Sequence, residues 1–392
     1  MHLAETADQQ ALRAELREYF DRLLTPDVRK AIGEPGEGSA MFRPLVRQMG
    51  ADGILGMGWP KEYGGQGRPP TDQYILFDEI QRANAPFPFV TINTVGPTLM
   101  TFGSDAHKRR FLPGILAGEI NFAIGYTESE AGTDLASLRT RAVLDGEEWV
   151  INGAKVFTSG ANQADYVWLA CRTDPDLAKH KGISMIIVPT DDPGFSWSPI
   201  ETVGGIQTTA TYYADVRVPR DNLVGDLNSG WRMITTQLNH ERIGLAALAG
   251  RTFRLYDEVV EWAAATGDGS GGRLIDVGWV QADLARSHAQ LEALRLLNWR
   301  MALDVAAGTL SPANSSAVKV LGTEGVVDVY RRLLGIVGSA GYLAPGSPGA
   351  VLNGELERMG RAAQINTFGG GVNEVQRDIV ASVGLQMARS AR

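Results

Sequence analysis

Hydrophobic spacing changes twice along this chain, and that change constrains its fold more than any single motif. Up to about residue 122 apolar residues recur at helical steps, as Leu12, Leu16, Tyr19, Phe20 and Leu23 do. Thr6 followed by Gln9 has the form of a capping box for that first helix. "TDQYILFDEIQRAN" and "SDAHKRRFLPGILAG" also read as helices, alongside the turn-rich "GWPKEYGGQGRPP". From about 123 to 226 the runs turn β-branched and aromatic, as in "DYVWLACRT", "GISMIIVP" and "ATYYADVRVP". "TRAVLDGEEWVINGAKVFTSG" adds DG and NG turn signals between strand-like runs. Helical patterns return from about 229 to the end. Helix, strand, then helix without alternation predicts an α+β chain of three consecutive domains. These are an N-terminal helical domain over 1–122, a central β-domain over 123–228 and a C-terminal helical bundle over 229–392.

With 392 residues, 44% of them apolar and 21% charged, the chain has the composition of a globular protein with a large core. A net charge of −8 without any basic run argues against a general nucleic-acid binder. A local basic lip for a phosphorylated small molecule stays open. The lone Cys171 rules out an internal disulfide and a cysteine metal cluster. Five scattered histidines form no metal-ligand pattern, so no metal site is expected. "MHLAETADQQALRAELREYF" reads as a charged amphipathic helix rather than a signal peptide, and no run has membrane-spanning length. A cytoplasmic protein with no membrane partner is expected.

Gly267, Gly269 and Gly272 in "TGDGSGG" satisfy GxGxxG, but the preceding "RLYDEVVEWAAAT" is helical where a dinucleotide site needs a strand. A loop between two helices is expected there. Two features carry more chemistry. In "INTFGGGVNEVQRD", Gly369 to Gly371 precede a helical segment, and read either as a hinge or as backbone bared for a ligand. In "GWRMITTQLNHERIGLAALAG", Ile234, Leu238, Leu245 and Leu248 form one helical stripe, and Glu241 falls on it. A carboxylate on an apolar face must be paired, protonated or functional. It reads as half of a buried ion pair, as a residue on a locally outward turn, or as a general base whose pKa burial raises.

Residues 126 to 174, "YTESEAGTDLASLRTRAVLDGEEWVINGAKVFTSGANQADYVWLACRTD", resemble the flavin-binding segment of the acyl-CoA dehydrogenases. There a Thr-Glu-x-x-x-Gly-Ser/Thr-Asp loop precedes Asn-Gly-x-Lys and a short strand. "GWPKEYGGQG" and "VRVPRDNLVG" match in place and order, and the resemblance covers essentially the whole chain. It implies a C-terminal four-helix bundle, with FAD between bundle and β-domain. By position Tyr126 and Thr127 would contact the flavin ring, and Gly132 and Thr133 would lie near the pyrophosphate and thioester. Phe157, standing where tryptophan is usual, would line the other side with Thr158 and Ser159. Val372 and Glu374 complete the implied cofactor set, while Thr133, Arg242 and Gly370 are implied to bind substrate. The implied reaction is α,β-dehydrogenation of an acyl-CoA thioester, with electron-transfer flavoprotein as acceptor.

Two departures from the family pattern compensate each other. Aligning "NEVQR" puts Gly370 where most members carry their catalytic glutamate. A minority place the base on a bundle helix just before an arginine, and Glu241-Arg242 matches that arrangement. The resemblance therefore implies Glu241 as base, with the Gly370 amide donating to the thioester carbonyl. Family homo-oligomers also complete each FAD site with a neighbour's Arg-x-x-Phe-Gly loop and Gln-x-x-Gly-Gly-x-Gly stretch. Here those places hold "TGDGSGGRLID" and "GIVGSAG", with Gly335 for the glutamine. An unlike acyl-CoA dehydrogenase-type subunit, in a heterotetramer of two chain types, would supply the missing groups. "FAIGYTESEAGTDLASLRT", "QLNHER" and "TFGGGVNEVQRD" resemble the catalytic subunits of actinobacterial steroid side-chain dehydrogenases, which implies a steroid CoA ester as substrate. A homo-oligomeric short or branched-chain enzyme, a non-catalytic partner subunit and an oxidase are the alternatives.

Overall fold

The computed structural model describes residues 4–32, 39–205, 207–237 and 249–388. The N-terminal third is helical: α1 (Ala7–Leu23), α2 (Pro26–Ile32), α3 (Phe42–Ala51), α4 (Pro70–Ala83), α5 (Gly96–Phe102) and α6 (Asp105–Leu116). The capping box that opens α1 forms as the sequence predicts, Thr6 and Gln9 each accepting the other's backbone amide. Leu12, Leu16 and Phe20 are buried, fixing the inward face of α1.

Eight strands follow: β1 (Phe122–Gly125), β2 (Arg141–Asp145), β3 (Glu148–Lys155), β4 (Tyr166–Arg172), β5 (Ile183–Pro189), β6 (Phe195–Ile200), β7 (Thr208–Pro219) and β8 (Leu223–Val224). They form one sheet in the order β6-β7-β3-β2-β4-β5-β8, with β1 parallel to β4. β4 and β5 are buried on both faces, which is why they read as unbroken apolar runs. Trp168, Ala170, Met185 and Ile187 pack toward the N-terminal helices. Val167, Leu169, Cys171, Ile186 and Val188 point the other way, into a core shared with Trp149, Ile151, Val216 and Val218.

The NG signal at Asn152-Gly153 does not make a turn. It lies inside β3, facing a bulge in β7: Ile151 pairs with Val216 and Gly153 with Tyr213, so Ala214 and Asp215 together oppose Asn152. A Cβ on Gly153 would lie 2.8 Å from Thr140 Cα, so the chain leading into β2 runs too close to β3 there for any side chain. Asn152 exchanges two hydrogen bonds with Asp215 of β7, at 2.9 and 3.0 Å.

The rest is mostly helical: α7 (residues 230–237), α8 (Ala249–Ala265), α9 (Gly278–Ala306), α10 (Pro312–Val337), α11 (Glu355–Ala362) and α12 (Asn373–Ile379). Leu255, Val259, Leu284, Leu291, Val329 and Leu333 make the core of α8, α9 and α10. α9 also reaches the N-terminal helices, its Trp299 ring lying 5.9 Å from that of Tyr74. Thr91 ties those helices to the sheet, donating to Asn121 Oδ1 at 2.6 Å and accepting the Phe122 amide at 2.9 Å. Among the described residues no helix is long and apolar enough to cross a membrane.

Candidate active site

One buried ion pair locks the loop after β1 onto the end of β3. Lys155 closes β3 at the same parity as the inward Trp149 and Ile151, and it has no exposed surface. Its ammonium donates to Glu128 Oε1 at 2.8 Å and to the Tyr126 carbonyl at 3.0 Å. The same carboxylate accepts the Arg139 and Thr140 amides at 2.7 and 2.8 Å, closing the loop on itself. Burial pushes the Glu128 carboxyl up, but the Lys155 ammonium and the hydrogen bonds outweigh it and hold the group below its ordinary value.

Tyr126 bridges three elements. Its hydroxyl accepts the Trp168 indole N–H at 3.2 Å and donates to Gln237 Oε1 of α7. Gln237 is 1% exposed, and its Nε2 meets no acceptor among the described residues. Beyond β3, Phe157 takes a left-handed conformation (φ 59°) and is 60% exposed. All three polar groups of Thr158 are turned into the sheet. Its amide donates to the Thr209 carbonyl at 2.9 Å, its carbonyl accepts Thr209 Oγ1 at 2.5 Å, and its hydroxyl pairs with Thr211 at 3.2 Å. The Ser159 hydroxyl pairs with that of Thr208 at 2.9 Å.

The backbone around this turn keeps donors in reserve. Among the described residues the amides of Thr127, Phe157 and Ser159 meet no acceptor, while Val156 donates to the Thr127 carbonyl at 2.9 Å. Gly132 and Thr133 lie in an exposed turn, and a Cβ on Gly132 would meet nothing within 4 Å. Such an arrangement can present N–H groups to carbonyl edges of a planar ligand, with an open turn beside it for a phosphate or thioester.

Gly370, Val372 and Glu374 form a second group, at the loop between α11 and α12. Gly370 and Gly371 are left-handed, with φ of 67° and 99°, which accounts for glycine at both. Val372 precedes α12 in extended conformation, and Glu374 lies in its first turn. Glu241 and Arg242 lie outside the described residues, as do Leu238, Leu245 and Leu248 of their stripe. The segment carrying "TGDGSGG" joins α8 to α9. Asp268 caps it, taking the Ser270 and Gly272 amides at 2.7 and 2.9 Å. At Gly335 an added Cβ would meet nothing within 4 Å, so packing within this chain does not demand glycine there.

Lys155, Glu128 and Gln237 lie within the motifs that carry the resemblance, but nothing in the sequence assigns any of them a role. A lysine at an inward strand parity was the signal available for Lys155. Glu128 stands in the Thr-Glu-x-x-x-Gly-Thr-Asp loop and Gln237 opens "QLNHER", but their partners are distant in sequence, so the motifs do not show the pairings.

Three family models match the chain in order. The acyl-CoA dehydrogenase N-terminal domain matches residues 6–119, the middle domain 123–216 and the C-terminal domain 228–385. Acyl-CoA dehydrogenase FadE26 of Mycobacterium tuberculosis is 53% identical over 403 residues, covering all of both chains. FadE29 of the same organism is 50% identical over 393 residues, again covering both completely. A solved structure described as the Tcur3481-Tcur3483 steroid ACAD superposes with a TM-score of 0.95 at 61% identity, covering 100% of each chain. The ChsE4-ChsE5 complex from Mycobacterium tuberculosis gives a TM-score of 0.94 at 52% identity with the same coverage. Matched end to end by these proteins and by all three domain models, the chain belongs to the acyl-CoA dehydrogenase family.

Proposed function

We propose that this acyl-CoA dehydrogenase is a FAD-dependent catalytic subunit acting on a steroid side-chain CoA thioester, with Glu241 as its base. The observation that carries the reading is the cluster of unpaired amides at Thr127, Phe157 and Ser159 around the exposed Phe157. Gln237 Nε2 adds a buried donor without an acceptor among the described residues, and a ligand carbonyl can use it. These groups fit the edge of an isoalloxazine, and the open turn at Gly132 and Thr133 suits the pyrophosphate and thioester. Val372 and Glu374 would complete the cofactor contacts. When bound, FAD supplies the hydride acceptor at N5 for the β-hydrogen.

The chain's own residues do the rest. An α-proton of a thioester is weakly acidic, so its carbonyl must be polarised by fixed donors as the proton leaves. The Gly370 amide, in a loop bared of side chains, would donate to that oxygen. Glu241 would take the α-proton, leaving a double bond between the α- and β-carbons. It follows Gln237 by four residues, and the sequence puts it on an apolar stripe that raises a carboxyl toward neutrality. Thr133 and Arg242 would hold the substrate. Thr158 would act through its place in the turn, since its polar groups are already spent.

Full-length identity of 61% to a protein described as a steroid ACAD supports the substrate class. That relative and the ChsE4-ChsE5 complex are each described with two chain names. This pairing, with Gly335 and the self-capped Asp268 turn in place of donor groups, supports an unlike subunit that completes the FAD site. Electron-transfer flavoprotein is the proposed acceptor, and a cytoplasmic setting fits it. The test is anaerobic mixing of the flavin-loaded enzyme with a steroid CoA ester and with a short branched acyl-CoA. Bleaching by the steroid ester that is lost in Glu241→Gln supports the reading. A near wild-type rate in Glu241→Gln refutes the base, and preference for the short substrate refutes the substrate class.

A further inference from the structure

Lys319 of α10 reaches out of its helix to the glycine loop. Its ammonium donates to the Gly371 carbonyl at 2.7 Å, to the Thr367 carbonyl at 3.2 Å and to Asn373 Oδ1 at 2.6 Å. Those three acceptors bracket Phe368 to Gly370, so one cation pins both ends of the exposed run. Asn373, 2% exposed, passes the restraint back to α10 by donating to Thr323 at 3.1 Å and Glu324 at 3.0 Å. Arg377 of α12 is held by the other oxygen of Glu324 at 2.7 Å. With the Thr367 and Gly371 carbonyls committed to Lys319, the Gly370 and Gly371 amides meet no acceptor among the described residues. Three successive glycines have little preference of their own for any one backbone shape.

We propose that Lys319 is a positioning residue that holds the Gly369–Gly371 loop in the shape that presents its free amide to the thioester carbonyl. This rests on the reading of Gly370 as a thioester contact. A triply donating ammonium is the species the geometry requires, because a neutral amine has only two N–H groups. Burial draws the Lys319 ammonium down to about 8, against the pull of Glu374 and Glu324. The turn 363–367 and the loop 368–372 contain no titratable side chain, and Arg377 is occupied by Glu324. The charged form therefore prevails at neutral pH, and as pH rises through that value the neutral amine can keep only two of the three hydrogen bonds.

The experiment compares wild type, Lys319→Met and Lys319→Arg in the flavin-loaded enzyme purified with its partner. KM and kcat are measured against pH, and amide hydrogen exchange is followed over residues 366–373. Wild-type kcat/KM should fall on the alkaline side, with kcat falling too because the amide acts as the proton leaves. Lys319→Met should lower kcat/KM about tenfold at neutral pH, the size expected for losing charged hydrogen bonds, and show no further alkaline fall. Lys319→Arg, which stays charged, should keep a high kcat/KM through the alkaline range. Loop exchange at neutral pH should be faster in Lys319→Met than in Lys319→Arg. Equal loop exchange in the two variants overturns the proposal, whatever the enzyme acts on. Faster exchange with unchanged kcat and kcat/KM upholds the loop restraint but refutes Gly370 as a thioester contact. If Lys319→Met does not fold, an alkaline fall in kcat/KM that persists in Lys319→Arg overturns the proposal.

Discussion

The phenol of Tyr126 donates to Gln237 while accepting the Trp168 indole N–H at 3.2 Å, so loop, sheet and helix α7 meet at one hydroxyl. Because the Tyr126 proton goes to Gln237 Oε1, the amide of Gln237 is oriented with its Nε2 away from the tyrosine. The loop that begins the proposed flavin site is thereby tied to the helix whose sequence leads on to Glu241.

Tyr126→Phe removes that junction without changing the shape of the ring. Trp168 Nε1 and Gln237 Oε1 are then both left without this partner, and unmet buried groups cost about 1–3 kcal/mol. Urea unfolding should show a loss of that size with an unchanged slope. A variant as stable as wild type would mean that other partners take over both groups.

Lys155→Met leaves Glu128 half-buried without its cation. Breaking such a pair costs roughly 3–5 kcal/mol. The pH dependence supplies a second check. In the native protein Glu128 titrates below its ordinary value. Its contribution is therefore present above the unfolded-state pKa and is lost as pH falls through the depressed folded value. In Lys155→Met the main stabiliser of the charged form is gone, so the acid-side fall in stability should become shallower. Stability curves that stay parallel at acid pH would contradict this account.

Gly370→Glu separates space from strain. The residue has φ of 67°, so any side chain there costs backbone energy on the order of 1 kcal/mol. That cost is common to all substrates and cancels in a ratio. A side chain reaching toward the α-carbon should lower activity on α-branched acyl-CoA esters more than on straight ones. Improved relative activity on branched esters would show that Gly370 leaves no room for a branch.

Much of the fold was legible because it rests on periodicity. The inward face of α1 and the double-sided burial of β4 and β5 follow from spacing and apolar content alone. Asn152-Gly153 misled because the glycine there answers the close approach of Thr140, while the left-handed residue of the facing bulge is Asp215 of β7, with φ of 50°. The site was legible in a different way. The flavin-loop residues came from resemblance, and the hydrogen bonds among them could not be read from spacing. Glu128 with Lys155, and Tyr126 with Gln237, are pairs far apart in sequence. Lys319 is a lone lysine on a helix until the loop beyond α11 folds back over it.

The central claim is that this chain supplies one part of a FAD site and needs an unlike subunit for the rest. Flavin content after purification, for the chain alone and for the chain co-expressed with a candidate partner, tests it most directly. The account predicts flavin retained only in the co-purified complex, because neither the Asp268 turn nor Gly335 offers a side chain to a neighbour's cofactor. A full complement of FAD in the chain alone would contradict it, and the homo-oligomeric reading would then hold.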